Sequence, residues 1–506
     1  MIRLIPVDNA LRRHAARLRP LGLAIAIPAL LAGCVLPANV PPPDAVAPDQ
    51  YRAGDDQPSV WPSATWWQNF DSPELDRLMG QARRANYDIA AAAARVAQAD
   101  AQIRVSGASL LPSLNAQGTA SRNYQAGSDR SNSISLPNGN GGTTTTTLGS
   151  GGSTASNNYQ ATLSASYELD FWGQNLSNLK SAKQAALASR YDAATVALST
   201  EASVASTYFT IVATQDRLKI AQDNLATARD LLKALQAQLQ VGIANALDVA
   251  QQETQVANQQ AAIPPLRQQL QQNINALAVL LGQPPAALNI RIADPSALTV
   301  PTIAAGLPAT LLTRRPDIAQ ARAQLAGARY DVSSAKAALF PSFDLTAQGG
   351  WQNALLGGLF DPVNEFYSLA GNITQPIFQG GALRGQLAVS RARYAELLAD
   401  YQSTVINAFE DVDNALTDVR QTTEQEKRQA HAVALAQRAL DISRARLREG
   451  ITDVTTVLDT EQTLFSARDT LAQTRQARLN AAVSLYQALG GGWDEDDIDT
   501  AQMPAL

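Results

Sequence analysis

Reactive side chains are scarce in this chain of 506 residues, which contains one cysteine and two histidines. A single thiol cannot form an internal disulfide bond, so a disulfide framework is excluded. Cys34, His14 and His431 are too few for a closed zinc site of the usual Cys/His type, and we expect no metal site. No nucleophile–base pair or phosphate-binding loop is evident either. The sequence therefore predicts a protein that is not an enzyme.

Long apolar runs are also missing. The apolar stretch 21–31 follows five arginines, is interrupted by Pro28, and is shorter than the ~20 residues of a membrane-spanning helix. This arrangement is typical of a secretory signal peptide. The stretch "LAGC", which ends at Cys34, resembles the lipobox of bacterial lipoproteins. That resemblance implies cleavage before Cys34, acylation of Cys34 with lipid such as palmitate, and, because Val35 follows, the outer membrane; a buried free cysteine is the alternative.

The charge balance is acidic. Removal of residues 1–33 takes away five arginines and one aspartate, which changes the formal net charge from −5 to about −9. A negative chain is a poor partner for nucleic acid, and we expect none. Apart from the covalent lipid on Cys34, we expect no cofactor.

The sequence is internally duplicated. Residues 86–114 resemble residues 315–343 at an offset of 229. Three glycine pairs match at an offset of 208, namely Gly173 with Gly381, Gly242 with Gly450 and Gly282 with Gly490. The difference of 21 indicates an insertion between Pro112 and Gly173. It contains residues 133–158, rich in Gly, Ser, Thr and Asn, which we expect to form a long, mobile surface loop.

Each half contains two candidate strands. Alternation of apolar and polar residues predicts strands at 113–120, 159–170, 342–352 and 366–377, the first being the weakest. Their lengths suit transmembrane strands of ~9–11 residues with an apolar outer face and a polar inner face. A soluble sheet with one hydrated face is the alternative.

Each half also contains a long helix and a return helix. Residues 174–241 and 386–449 contain neither Gly nor Pro, and the first run would span ~100 Å as one helix. Gly242 and Gly450 follow where a helix C-terminus favours a left-handed residue. The return helices are predicted at 247–281 and 454–489, after the capping residues Asn245 and Asp453. A cytosolic coiled coil is the alternative, but the Ala- and Gln-rich composition favours a helical wall in contact with water.

Four strands in one chain cannot close a barrel, and open edges in lipid cost several kcal/mol per unpaired group. Strands embedded in a membrane would therefore require several chains. Two chains would give eight strands, whose interior is filled by side chains. Three chains would give twelve strands and room for a lumen.

Several motifs resemble the TolC-like outer membrane factors. The segment 314–343, "RRPDIAQARAQLAGARYDVSSAKAALFPSF", resembles that family's signature, and "VGIANALDV" and "GITDVTTVLD" resemble its two hairpin tips. The lipobox resembles the lipoprotein branch of the OprM/NodT kind that serves tripartite efflux pumps. The resemblance covers residues 71–492. It implies a mixed fold, a homotrimeric 12-stranded transmembrane β-barrel with four strands per chain, continued by a long periplasmic α-helical barrel.

The same resemblance implies a function and partners. The protein would be the outer-membrane exit duct of an efflux system, passing substrates delivered by a periplasmic adaptor and an inner-membrane pump of the RND type. Outer-membrane lipid would surround it. The alternatives are an outer-membrane component for protein or metal export, a coiled-coil envelope lipoprotein without a pore, and a lipid-anchored enzyme.

Site residues follow from the resemblance as well. The tip residues Gly242, Asn245, Gly450 and Asp453 would dock the adaptor. Asp459 would form an acidic ring at the periplasmic entrance, and Thr455, one turn earlier, would occupy the constriction where relatives carry a large apolar residue. A stabilising acid in the first helical turn is the alternative for Asp459.

Two further groups are interpreted as structural. Pro316 suits the first turn of a helix and Asp317 suits its dipole, so "RRPD" is not assigned to ligand binding. Trp61, Trp66 and Trp67 are expected to pack the N-terminal arm onto the body. The predicted organisation is a lipoprotein signal peptide at 1–33, a lipid-anchored arm at 34–70, a first repeat at 71–282, an inter-repeat segment at 283–306, a second repeat at 307–492 and an acidic tail at 493–506.

Overall fold

The computed structural model describes residues 48, 50–52, 61–126, 132–137, 143–148, 154–242, 245–301 and 308–493. Cys34, the predicted signal peptide and the acidic residues 494–499 lie outside them. The chain divides into two compact units, of which unit 1 includes Ile103–Ser181 and Arg329–Ala392, and unit 2 includes Val40–Gln102, Ala182–Ala328 and Arg393–Leu506. Each unit takes segments from both halves of the sequence.

The described residues form eight α-helices and six strands. The helices are α1 (Pro73–Ala85), α2 (Tyr87–Ala108), α3 (Gln174–Gln240), α4 (Ala246–Leu280), α5 (Pro308–Arg314), α6 (Pro316–Ala337), α7 (Ala382–Arg448) and α8 (Val454–Ala488). The strands are β1 (Ser113–Gln125), β2 (Asn132–Pro137), β3 (Thr143–Leu148), β4 (Thr154–Glu168), β5 (Ser342–Asn353) and β6 (Glu365–Thr374).

The helices confirm the duplication. Helices α2 and α6 both have 22 residues, and their ends differ by 229 positions. Helices α3 and α7 both have 67 residues, α4 and α8 both have 35, and both pairs differ by 208 positions. The two offsets found in the sequence therefore describe two copies of one arrangement of helices.

The helix boundaries follow from local chemistry. Helix α7 begins four residues before the predicted start, because the first turn accommodates Gly385, whose N–H donates to the Gly381 carbonyl. The caps predicted for the return helices are confirmed. The Asn245 side chain accepts from the Asp248 N–H, and the Asp453 side chain accepts from the Thr456 N–H.

The larger sheet lies in unit 1 and has the strand order β1-β4-β5-β6, antiparallel throughout. One row of partners runs Leu114, Ala165, Ala347 and Leu369, which places the predicted apolar positions of all four strands on one face. Strand β6 ends at Thr374, before the predicted end, because Pro376 has no N–H to donate to a ladder.

The expectation of a loop at residues 133–158 was wrong in part. Strand β2 pairs with β3 in a separate two-stranded sheet, and β4 begins at Thr154. The sequence of β3 is TTTTTL. Consecutive β-branched residues favour extended backbone even without apolar alternation, and the sequence interpretation relied on alternation alone. The insertion of the first half thus contains this hairpin.

The main core of unit 2 joins the N-terminal segment to both repeats. Trp66 stacks on Tyr486, with ring centroids 5.1 Å apart, and Phe70 contacts Phe209 at 4.9 Å. Trp67 is also buried, and the Arg83 guanidinium lies 4.6 Å from its ring centroid. The predicted packing is confirmed for Trp66 and Trp67, whereas Trp61 is half-buried and lies outside this core, with the Arg314 guanidinium 5.7 Å from its ring centroid. The segment after residue 60 is therefore part of the folded body.

One helix in the described residues, α3, contains a window long and apolar enough to cross a membrane by length and composition. This window differs from the expectation that long apolar runs are missing from the sequence. However, 56% of that window is buried inside the protein. Helix α3 supplies Tyr208, Phe209 and Ile211 to the core of unit 2, and burial explains its apolar composition.

Candidate functional site

The sheet of unit 1 has one apolar and one polar face. Leu114 is 67% exposed and Leu369 is 79% exposed, both on the apolar face. The opposite face carries hydroxyl, amide and carboxylate side chains, among them Asn115, Ser164, Thr346, Gln348 and Asn372. A contiguous exposed apolar face marks an interaction surface, and here it has the alternation of a lipid-facing strand.

The same sheet has two open edges. In the part of the chain that the structure describes, β1 pairs only with β4, and β6 pairs only with β5. The outer backbone groups of the 13-residue β1 and the 10-residue β6 therefore lack ladder partners. Such edges are templates for pairing with another chain.

Two helical hairpins end in similar tips. Gly242 has φ 78° and Gly450 has φ 67°, as the sequence predicted for left-handed positions. No described atom lies within 4 Å of a β-carbon built on either glycine. Among the described residues, the exposed apolar side chains nearest these glycines include Val241, Leu247 and Ile451. Sequence reasoning missed them, although apolar residues beside a turn glycine are a usable signal.

The caps of the return helices differ in chemistry. Asn245 and Asp248 form a reciprocal capping box, in which each side chain accepts from the other residue's backbone N–H. In the second tip, the Thr456 hydroxyl and the Thr456 N–H both donate to Asp453, at 2.6 and 2.9 Å. These hydrogen bonds hold the pKa of Asp453 below its usual range.

The two predicted entrance residues lie on the open side of α8. Thr455 and Asp459 are both exposed and are one turn apart, whereas Val457 and Leu464 are buried within the hairpin. The Asp459 carboxylate makes no ion pair with the described residues. The alternative of a first-turn acid was wrong, because α8 begins at Val454 and its first turn contains no acid. The role of the two residues at an entrance stays a prediction.

Ion pairs between helices were missed by the sequence analysis. In the second hairpin, Arg444 of α7 binds Glu461 of α8 at 2.7 Å. Arg217 of α3 binds Asp469 of α8 through two nitrogens, at 2.7 and 3.3 Å. No local motif predicts which residues of two antiparallel helices lie at the same height, so these pairs required the structure.

A cavity of about 270 Å³ lies beside these helices in unit 2. Arg475 and Arg478 of α8 share Glu426 of α7 on its wall, at 3.2 and 2.9 Å. Asp216 also lines the cavity, and burial raises the pKa of its carboxyl, while the nearby Arg475 opposes the rise. The rest of the wall is largely apolar. The charges compensate one another, which indicates a structural cluster.

The segment "RRPD" has the structural role that the sequence analysis assigned to it. Arg315, whose side chain is 12% exposed, binds Asp317 at 2.6 Å and Asp411 of α7 at 3.1 Å, and it donates to the Ala488 carbonyl at the end of α8. Pro316 occupies the first position of α6. The segment thus fastens three helices. Within the described ranges, no group of three or more His, Cys, Asp or Glu side chains is placed to hold a metal ion.

Comparison with known proteins gives a consistent result. Residues 78–283 and 307–491 match the family model described as Outer membrane efflux protein. The pyoverdine export outer membrane protein OpmQ of Pseudomonas aeruginosa is 40% identical over 431 residues, which cover 85% of this chain and 88% of that protein.

Two further comparisons agree with it. The toluene efflux pump outer membrane protein TtgC of Pseudomonas putida is 31% identical over 487 residues, covering 94% of this chain and 96% of that protein. The crystal structure of the open state of the Neisseria gonorrhoeae MtrE outer membrane channel is 26% identical, with a TM-score of 0.79, over 91% of this chain and 98% of that chain.

Proposed function

Since the chain belongs to the outer membrane efflux protein family, it is an outer-membrane component of an efflux system, and we propose that three copies form a passive exit duct. The four-stranded sheets of the three chains join edge to edge into a 12-stranded barrel. The helical hairpins continue the wall on the periplasmic side. The family assignment confirms the predicted efflux function over that of a coiled-coil lipoprotein without a pore.

One observation carries this proposal. The sheet of unit 1 exposes an apolar face and leaves both edge strands unpaired. In water such a surface promotes aggregation, and in lipid the unpaired edges are costly, so a closed barrel of several chains is the stable solution. The polar face, which includes Asn115 and Gln348, then lines a water-filled lumen.

The state of assembly tests the proposal. The protein extracted from membranes in mild detergent should have the mass of three chains. It should also migrate differently in denaturing gels before and after boiling, because a closed barrel resists detergent at room temperature. A monomer with no heat-dependent change in migration would overturn the proposed duct.

The anchor is a separate proposal. The lipobox-like "LAGC" supports acylation of Cys34 and a lipid anchor in the outer membrane, where several acyl chains add stable attachment. Cys34→Ser should abolish labelling with radioactive palmitate while leaving barrel insertion intact, because the strands supply their own apolar belt. Unchanged labelling of the variant would contradict the anchor.

The hairpin tips are proposed as the docking site of a periplasmic adaptor, which links the duct to an inner-membrane pump of the RND type. The exposed Val241, Leu247 and Ile451 support docking, because they offer apolar contact at the ends of the longest helices. Gly242→Val should reduce export and adaptor binding but not trimer formation, since a β-branched residue disfavours the left-handed turn. Loss of the trimer in this variant would show that Gly242 is needed mainly for folding and not for docking.

The periplasmic entrance is proposed to be formed by Asp459 and Thr455. Their exposure on one face of α8, and the absence of an ion partner for Asp459 among the described residues, support a position facing a lumen. Three carboxylates around one axis would attract cations and set the charge of the entrance.

For the cargo, we favour a secreted siderophore of the pyoverdine type. The relative named for pyoverdine export is 40% identical, compared with 31% for the relative named for toluene efflux. Deletion of the gene should lower the siderophore in the medium and raise it in the cells. Normal secretion combined with lost tolerance to toluene would overturn this assignment and favour solvent efflux.

A further inference from the structure

The loop between β5 and β6, residues 354–364, is unusually apolar for an exposed connection. Its exposed apolar side chains include Leu355, Leu356, Phe360 and Val363. The loop contains one charged residue, Asp361. Because β5 follows α6 and β6 precedes α7, the loop lies at the end of these strands that is opposite the helices. Exposed apolar side chains grouped in this way mark an interaction surface.

The backbone of this loop closes tightly on itself. The Asn364 side chain donates to the Gly358 carbonyl at 2.7 Å, and the Asp361 N–H donates to the same carbonyl at 3.2 Å. A β-carbon built on Gly358 would lie 2.8 Å from the Asn353 amide nitrogen and 3.0 Å from a carboxylate oxygen of Asp361. The exposed side chains of the loop therefore have defined directions.

The Phe360 ring lies on the apolar side of the sheet. It contacts the Trp351 ring edge to face, with ring centroids 5.5 Å apart. Trp351 is two residues from Gly349, which lies opposite Leu163, so Trp351 and Leu163 share the apolar face. Phe360 nevertheless remains 68% exposed. The loop thus extends the apolar face beyond the end of β5.

Val363 lies on the other side of the same loop. It borders a depression that is lined in part by Asn158, Gln352 and Asn364. The Gln352 side chain donates to the Asn158 side chain at 3.0 Å, and the register places both residues on the polar face. Val363 is therefore apolar and exposed like Phe360, but it lies beside polar groups. The loop has an apolar outer side and a polar inner side.

One row of the sheet marks the boundary of the hydrocarbon in the proposed barrel. Trp351 lies opposite Glu365 of β6, and Tyr367 lies on the same face two residues nearer the helices. The side chains of Glu365 and Tyr367 are both exposed. A carboxylate is costly inside hydrocarbon, whereas Trp and Tyr favour the interface between membrane and water. The row of Trp351 and Glu365 therefore fits the aromatic girdle of a transmembrane barrel.

We propose that the β5–β6 loop folds outward and inserts the Phe360 ring among the acyl chains of the outer leaflet, at the level of Trp351. The partner is membrane lipid, because Phe360 continues the lipid-facing surface without a break and contacts a residue of that surface. The ring then holds the loop against the membrane and away from the mouth of the lumen. This inference rests on the proposed barrel and adds the position and the partner of its outer loop.

Added tryptophans test the contact with lipid. The variants are Phe360→Trp, Val363→Trp and Tyr367→Trp, each in the full chain, which has six native tryptophans. All three replaced side chains are exposed, so folding should be retained, and Phe360→Trp keeps an aromatic ring beside Trp351. Each protein is reconstituted in phosphatidylcholine vesicles and in vesicles of the same lipid with brominated acyl chains, which quench indole fluorescence on contact. The emission added by Phe360→Trp and by Tyr367→Trp should be largely lost in brominated vesicles, whereas the emission added by Val363→Trp should be retained.

The Tyr367→Trp variant distinguishes failure of this inference from failure of the proposed barrel. If its added emission is lost in brominated vesicles while that of Phe360→Trp is retained, the loop does not contact lipid and the inference is overturned. If the added emission is retained in all three variants, the apolar face does not lie in lipid and the proposed barrel is overturned. Equal loss for Phe360→Trp and Val363→Trp would contradict a loop with one side in lipid and the other in water.

Discussion

The two helical hairpins have the same backbone lengths but are held together by different chemistry. In the described residues, no ion pair joins α3 to α4. There the buried Gln252 of α4 donates to the Ala228 carbonyl of α3 at 2.6 Å. In the second hairpin, Glu461 binds Arg444 and Glu426 binds both Arg475 and Arg478. A duplicated fold thus keeps its helix lengths, turns and caps while its cross-helix contacts diverge.

The exposed faces of the two return helices also differ in charge. Leu247 and Gln251 of the first hairpin stand at the positions of Thr455 and Asp459 in the second. The return helix α4 has three charged residues, Asp248, Glu253 and Arg267, whereas α8 has six, Asp459, Glu461, Arg468, Asp469, Arg475 and Arg478. The second hairpin should therefore respond more strongly to salt and to charge-removing substitutions.

The largest loss of stability is expected at the two glycines that end the return helices, because both repeats make the same close backbone contact there. Gly282 and Gly490 end the two return helices with positive φ, and a β-carbon there would collide with the backbone carbonyl oxygen of Ala85 or Arg314. Gly490→Ala and Gly282→Ala should each destabilise the protein by about 4 kcal/mol, because strain and overlap add. Gly450→Ala, with the same sign of φ but open space, should cost about 1–2 kcal/mol. Thermal dissociation of the trimer measures the stability of all three variants. Equal losses of stability would show that the overlap with the backbone carbonyl does not contribute.

The second expected effect concerns the shared acid Glu426, whose side chain is 20% exposed. Glu426→Gln should destabilise the second hairpin by about 2 kcal/mol, because two arginines lose their charged acceptor. The matched control is Glu424→Gln, since Glu424 is 50% exposed and binds Arg428 one turn away, a pair that contributes under ~0.5 kcal/mol. Hydrogen exchange of α7 and α8 peptides measures both. Similar exchange in the two variants would contradict an ion-paired second hairpin.

The third expected effect is a loss of stability in the first hairpin, which is held by an amide hydrogen bond and not by ion pairs. Gln252→Ala should destabilise it by about 1–2 kcal/mol, because a buried amide hydrogen bond is lost. The loss should be the same at low and at high salt, whereas the loss from Glu426→Gln should shrink as salt is raised. Hydrogen exchange of α3 and α4 peptides at two salt concentrations tests this. If the destabilisation by Gln252→Ala changed with salt, the proposed difference in chemistry between the two hairpins would be contradicted.

The fourth prediction concerns the entrance. Asp459→Ala should lower cation preference and raise the open fraction at low salt, because a ring of three carboxylates is removed. The effect should fade at high salt, where screening shortens to ~3 Å at 1 M. Gln251→Ala, at the matching position of the first repeat, should leave ion preference unchanged. Single-channel recordings measure the ion preference. Identical ion preference in the Asp459→Ala variant and in wild type would show that Asp459 does not line the entrance.

The smallest effect is expected at the caps, as a function of pH. The pKa of Asp453 is lower in the folded protein than in the unfolded chain. Its capping contribution to stability is therefore fully present at pH values above the unfolded-state pKa, and it is lost as pH falls through the folded-state pKa. Below about pH 4 the second tip should therefore fray at α8. At the matching position of the first tip, the Asn245 amide does not titrate, so its hydrogen bond from the Asp248 N–H should persist at lower pH. Hydrogen exchange of tip peptides, corrected for intrinsic rates, compares them; equal fraying would contradict the capping account.

Much of the fold was predictable because it depends on local chemistry. The absence of Gly and Pro from 174–240 predicted α3, and Gly242 and Asn245 predicted its end and the next cap. Alternation predicted β4 and β5, with the faces that the register confirms. Each of these signals lies within a few residues in sequence.

The features that were missed depend on distant residues or on the wrong signal. The pairing of Arg217 with Asp469 joins positions 252 residues apart, and no local pattern sets their relative height. Strand β3 was missed because threonines carry strand propensity without alternation. The entrance residues Thr455 and Asp459 came from resemblance alone, and their role depends on neighbouring copies of the chain.

The conductance of the purified wild-type protein in a planar lipid bilayer tests the duct most directly. Three chains around a polar lumen predict discrete current steps, one for each inserted trimer, with larger or longer openings for Asp459→Ala at low salt. Trimeric protein that inserts into the bilayer but passes no current, in wild type and in Asp459→Ala alike, would contradict the proposed exit duct.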